Sequence, residues 1–191
     1  MSGKIVIFSG YAGAGKNTNI NKLLSEIRGL NYIPSVTTRS MREGESERKP
    51  YFFRDLRDLE ELKQKGSFIE SENIHGNWYG TLQDKYDEVL SKGEIIVKDI
   101  DVNGAMEFKK RYGNLVHLVF IRPSNDLEVI DRMRDRGDLE EEINKRKDRI
   151  KYESSYIKYF DDVVINDEID VAVEKSKKII RGIVNEESKG V

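Results

Sequence analysis

The chain contains no cysteine, which excludes disulfides, thiolate metal ligands and cysteine nucleophiles. It has only three prolines and one tryptophan among 191 residues. With 37% hydrophobic and 36% charged residues, so few chain-breakers suit a soluble, helix-rich α/β protein and not a disordered chain. No apolar run approaches membrane-spanning length, and Lys4 to Phe8 is too short and too near the start for a signal peptide. The expectation is a cytoplasmic enzyme with no membrane partner. A strong charge of one sign is also missing, since 33 Lys and Arg against 35 Asp and Glu leave a net −2. Nucleic acid calls for a larger positive surface with interleaved stacking aromatics, so no nucleic-acid partner is expected. The charge is nevertheless uneven. Arg39, Arg42, Arg48 and Lys49 form one basic stretch and Arg132 to Arg149 another, a pattern that fits two anionic substrates or, for either run alone, a solvated face.

What the chain does have is a short apolar strand, Lys4 to Ser9, running into a glycine-rich turn and then a helix. Glycines 10, 13 and 15 free the backbone to turn successive N–H groups inward as a nest for anionic oxygens. Lys16 adds a mobile positive charge, and the helix beginning near it aims its positive end at the same place. The phosphate-loop pattern Gly-x-x-x-x-Gly-Lys-[Ser/Thr] is met except at its last position, where Asn17 stands before Thr18. A hydroxyl there normally helps to hold Mg²⁺, and an amide oxygen is a weaker substitute. The candidate phosphate-binding set is Gly10, Tyr11, Ala12, Gly13, Ala14, Gly15, Lys16, Asn17 and Thr18, with Asn17 the one candidate protein contact to a metal that otherwise travels with the bound phosphates.

Apolar, β-branched runs at Lys4 to Ser9, Tyr32 to Val36, Glu94 to Asp99, Val116 to Ile121 and Asp162 to Ile165 alternate with helical patterns, which predicts a parallel sheet covered by helices. Helix starts are expected at Thr81 and Ser124, a long helix from Leu139 through Ile157, and another from Ile169 to Val184 with a frayed tail. Between Arg39 and Thr81 the rhythm changes to short strand-like pieces around a small helix, Leu56 to Gln64, as in an inserted subdomain. The length fits one domain carrying such insertions.

Several ordered motifs then identify a resemblance. Ser35 to Arg39, Arg42 with Gly44 and Glu45, Tyr51 to Phe53, Phe68 to Glu70, Gly76 to Thr81, Asp99 to Gly104, Arg132 to Gly137, Ile143 to Arg146 and Val164 to Asp167 run in the order found in guanylate kinases. The chain resembles that family from about residue 4 to 185. The resemblance implies a P-loop NTPase three-layer fold with a central parallel sheet in residues 1–36, 82–124 and 160–185, a GMP-binding subdomain in residues 37–81, and a helical lid in residues 125–159. It implies transfer of the γ-phosphoryl group of ATP to GMP and dGMP, with Mg²⁺ as cofactor, and leaves monomer or homo-oligomer open.

The residues make chemical sense in these roles. Arg39 and Arg42 can fork onto a monophosphate while the hydroxyls of Tyr51 and Tyr79 donate without adding charge. Glu70 only accepts hydrogen bonds, and guanine offers adjacent donors at N1–H and its 2-amino group where adenine offers no such pair. By resemblance, Ser35, Thr81 and Asp101 complete the guanine pocket, Asp99 stands near metal and substrate, and Lys16, Arg39, Arg132, Arg136 and Arg146 are catalytic. The sequence departs from the family at Tyr11 and Ala12, where proline and serine are usual, and at Asn17. Lys98 interrupts an apolar strand, either paired with a carboxylate or reaching solvent from a sheet edge. Two other readings fit parts of the pattern: a non-catalytic binding module for phosphorylated peptide, and a kinase for another phosphorylated acceptor.

Overall fold

The computed structural model describes residues 3–48, 51–74, 76–135 and 139–188. A five-stranded parallel sheet forms the centre, in the order β2 (Leu30–Asn31), β7 (Ile95–Asp99), β1 (Lys4–Gly10), β8 (Val116–Arg122), β9 (Asp162–Ile165). Its strands are apolar on both faces. On β1, Val6 and Phe8 face one hydrophobic cluster while Ile5 and Ile7 face another, all four fully buried. A two-sided sheet of this kind needs helices on both faces. One cluster is completed by α1 (Lys16–Glu26), α5 (Leu127–Asp135), α6 (Glu140–Ser154) and α7 (Ile169–Ser188), through Leu23, Ile130, Ile143 and Ile180 among others. The opposite cluster is closed by α3 (Gln83–Ser91) and α4 (Val102–Tyr112), through Tyr86 and Phe108, whose rings meet edge to face at 5.1 Å.

A second, four-stranded sheet runs β4 (Tyr51–Phe53), β3 (Ser35–Thr37), β6 (Asn77–Leu82), β5 (Phe68–Ile74), with α2 (Leu56–Gln64) between β4 and β5 in sequence. Only β3 and β4 pair in parallel; β6 is antiparallel to both of its neighbours. Asp55 caps α2 by accepting from the Asp58 N–H at 2.8 Å. No helix among the described residues is long and apolar enough to cross a membrane.

Four of the five expected central strands stand within a residue of their predicted positions. The fifth does not: Tyr32 to Val36 is not one strand, because Pro34 has no N–H to give a ladder. The central sheet takes Leu30 and Asn31, and Ser35–Thr37 belongs to the second sheet. Thr81 does not start a helix. It remains in β6 with its hydroxyl turned onto Glu70, and α3 begins at Gln83. The long helix stops at Ser154, with a separate 3₁₀ turn at Ile157–Tyr159, whereas α7 continues four residues past the predicted end at Val184.

Candidate active site

β1, β7 and β8 are adjacent and parallel, so their carboxyl ends lie side by side. Phe8 is in register with Asp99 and Gly10 with Ile121. Ligands of open α/β sheets gather at this edge, and each strand hands the chain to a different part of the site.

After β1 comes the glycine loop. Gly10 has φ 131°, and a side-chain carbon there would strike the Ile121 carbonyl of the neighbouring strand, so only glycine fits. Gly15, at φ 83°, caps α1 in the left-handed region. The Lys16 ammonium donates to the carbonyls of Gly10 and Tyr11 at 2.7 and 2.8 Å. Burial pushes its pKa down, while the carboxylates of Glu153, Asp99 and Asp101 oppose that shift and Arg146 adds to it. Asn166 closes the loop from behind, its side-chain amide donating to Ala14 O at 2.7 Å. Ala12, Gly13, Asn17 and Thr18 are exposed at the loop and the first turn of α1.

Tyr11 has no exposed surface. Its ring packs edge to face on Phe120 at 5.5 Å, and its hydroxyl donates to Asp126 Oδ2 at 2.9 Å while taking a 2.6 Å hydrogen bond from Ser154 Oγ. Asp126 in turn pairs with Arg122 at 2.8 Å. One loop residue thus holds both the approach to α5 and the end of α6. Burial foremost raises the phenol pKa, which keeps it a donor.

At the end of β7 and just beyond it come the acidic residues. Asp99 accepts from the Tyr32 hydroxyl at 2.9 Å. Asp101 caps α4, accepting from the Gly104 N–H at 2.8 Å, and its second oxygen receives Arg149 at 3.2 Å. Asp99, Asp101, Ser35, Tyr51, Glu70 and Tyr79 line one cavity of about 330 Å³. Thr81 joins them by donating to Glu70 Oε1 at 2.6 Å. Burial raises the Glu70 pKa, opposed by the Thr81 hydrogen bond and the nearby Lys98 charge. Tyr51 stacks edge to face on Tyr79 at 5.5 Å, and the Arg39 guanidinium lies 5.4 Å from the Tyr51 ring centre. Arg39 is held by Glu45 Oε1 at 2.8 Å and Ser40 O at 2.7 Å, and Glu45 also receives the Arg42 N–H at 2.7 Å. The Glu45 hydrogen bond is the main reason that the Arg39 pKa is raised and the Glu45 pKa lowered. The Arg42 side chain is exposed beside this pair.

After β8 come α5 and α6. Arg146 donates to the Ala12 carbonyl, joining α6 to the glycine loop. Arg132 sits on α5 with its side chain outside the described residues, and Arg136 lies outside them altogether. Sequence reasoning missed Arg149, which bridges Asp101 and Glu153, the latter at 2.8 Å. Its signal was present: it follows Arg146 by three residues on one helix face. Lys98 is neither at a sheet edge nor in solvent. β7 lies between β2 and β1, and Lys98 is 3% exposed in the cavity wall. Among the described residues no three Asp, Glu or His come together to hold a metal.

Comparison with known proteins gives one answer. The family model described as Guanylate kinase matches residues 2–182. A guanylate kinase of Chlorobium chlorochromatii is 37% identical over 174 residues, 91% of this chain and 92% of that one. One from Fusobacterium nucleatum is 37% identical over 179 residues, covering 93% and 96%. The crystal structure of guanylate kinase from Anaplasma phagocytophilum superimposes with a TM-score of 0.74 at 28% identity, covering 95% of this chain and 86% of that one.

Proposed function

This chain belongs to the guanylate kinase family, and from that membership we propose how its residues divide the work. The protein is an enzyme, an ATP:GMP phosphotransferase. The bond from the γ-phosphorus to the β–γ bridging oxygen breaks, an oxygen of the GMP phosphate bonds to that phosphorus, and ADP and GDP leave. Such a transfer asks little covalent chemistry of the protein; cations must be placed around the moving group and water kept out.

The loop from Gly10 to Thr18 takes the ATP phosphates, with Lys16 leaving its carbonyl partners for phosphate oxygens. Arg39 and Arg42, with Tyr51 and Tyr79, take the phosphate of GMP or dGMP. Residues 37–81, with β3 at their root, act as the GMP-binding subdomain, and residues 125–159 as a lid whose Arg132, Arg136 and Arg146 close over the transferring group. Asn17, exposed on the first turn of α1, suits an amide contact to Mg²⁺ carried by the ATP phosphates, since Mg²⁺ commonly keeps waters and substrate oxygens as its ligands. When bound, the ion neutralises charge on the β and γ phosphates.

The observation that carries the acceptor assignment is the Glu70 carboxylate, buried in the cavity and fixed by Thr81. Base donors at guanine N1 and the 2-amino group would satisfy it; adenine would leave it unpaired. The test is ADP release with Mg–ATP and GMP, dGMP, IMP, AMP, UMP or CMP. GMP should lead, and Glu70→Gln should cut its advantage over AMP by roughly 10²-fold or more. Equal turnover of GMP and AMP by the parent would refute the guanine assignment; tight phosphopeptide binding without nucleotide binding would favour an interaction module.

A further inference from the structure

Lys98 is buried in a strand whose other central positions are apolar, and burial lowers its pKa against the opposing charges of Asp99 and Glu70. An aliphatic side chain would fill this place without desolvating an ammonium group. The ammonium has three N–H donors. One meets Ser35 Oγ at 2.7 Å and another the Ile33 carbonyl at 3.3 Å, while the Tyr32 ring centre lies 5.3 Å away. Lys98, Ser35 and Glu70 share one cavity wall.

A serine hydroxyl has one hydrogen to give and two lone pairs to accept with, so on its own it can greet either a donor or an acceptor. The ammonium group removes that ambiguity. It occupies one lone pair of Ser35 Oγ, repels any further N–H that approaches the oxygen, and leaves the O–H as the group available to a ligand. Glu70 is the mirror case, because Thr81 donates to it and its remaining lone pairs can only accept. We propose that Lys98 is a specificity-determining positioning residue: it holds Ser35 as a hydrogen-bond donor into the cavity, selecting an acceptor base with a 6-oxo group and turning away a 6-amino group. The inference rests on the guanine reading of this cavity and adds the residue that fixes its polarity on the oxo side.

The test compares Lys98→Met, Lys98→Gln, Ser35→Ala and the Lys98→Met/Ser35→Ala pair, using GMP, IMP and AMP with saturating Mg–ATP. Lys98→Met should raise KM for GMP and for IMP by about tenfold and by the same factor, because both carry the 6-oxo group. KM for AMP should not rise, so the GMP-to-AMP preference falls by about tenfold or more, and KM for ATP, read in a separate ATP series at saturating GMP, should not move. Lys98→Gln retains a neutral donor for Ser35 and should lose less than Lys98→Met. In the Ser35→Ala background, Lys98→Met should raise KM for GMP by far less than the roughly tenfold expected in the parent, since the route through Ser35 is gone and only the Lys98 charge near Glu70 remains to be lost. A merely structural lysine would depress all three substrates together. An unchanged GMP-to-AMP ratio in both Lys98 variants of a GMP-preferring parent, or additive losses in the double variant, would overturn the proposal alone. A parent with no preference for GMP would overturn the guanine reading and this inference with it.

Discussion

Replacing Tyr11 by Phe removes one oxygen from a site with no solvent exposure and should reveal how tightly the glycine loop is tied to its surroundings. The ring stays on Phe120, so little apolar contact is lost. What goes is a hydrogen bond to the Asp126 carboxylate at 2.9 Å and one from Ser154 at 2.6 Å. A hydrogen bond to a charged partner contributes roughly 1.5–3 kcal/mol net. Asp126 keeps Arg122 at 2.8 Å, and Ser154 is half-buried and can turn to water, so the lower half of that range applies, about 1.5–2 kcal/mol. For a chain of this length that is a fall in Tm of about 3–8 °C, readable by calorimetry on the ligand-free protein. The lost contacts join the glycine loop, proposed above to take the ATP phosphates, to the start of α5 and the end of α6. KM for ATP should therefore rise by about threefold to tenfold, with KM for GMP within about twofold of the parent. A Tm within about 1 °C of the parent, or a rise confined to the KM for GMP, would refute the view that Tyr11 secures the donor side.

Two further outcomes follow from the acceptor side. Glu45→Gln weakens the ion pair that aims Arg39 and should raise KM for GMP several-fold while kcat changes little, measured by initial rates over a GMP series; a loss confined to kcat would place Glu45 in the chemical step instead. Glu70 has a raised pKa, so between its unfolded and folded values the native state binds more protons than the unfolded state and stability falls as pH rises through that window. Glu70→Gln has no such titration. In ligand-free urea unfolding the variant should match the parent below the usual carboxylate pKa and exceed it at neutral pH, and a parent more stable than the variant at pH 7 would contradict the burial argument.

Much of this molecule was legible because its signals are local. The strand, glycine turn and Lys16 lie within thirteen residues, and α2 spans the residues expected of it, Leu56–Gln64. Tyr32 to Val36 failed because an apolar run hides a proline that divides it between two sheets. Thr81 failed because threonine before a helix reads as a cap, while its real partner, Glu70, lies across a β-ladder. The connections of Tyr11 to residues 115 and 143 positions away leave no periodic trace, and neither does Lys98 reaching Ser35 from a strand in the other sheet. Such contacts belong to topology, which spacing along the chain does not encode.

The row formed by the ends of β1, β7 and β8 has a consequence for how this site can drift. Glycine loop, acidic residues and the lead into α5 sit on neighbouring rungs, and the gap between rungs is the peptide hydrogen-bond repeat, about 4.8 Å, which no side-chain substitution can lengthen. The sheet therefore serves as a ruler for whatever is mounted on its edge. Helices can repack and loops can exchange residues, while the pitch at which the glycine loop, Asp99 and the lead into α5 are mounted stays fixed by the backbone itself.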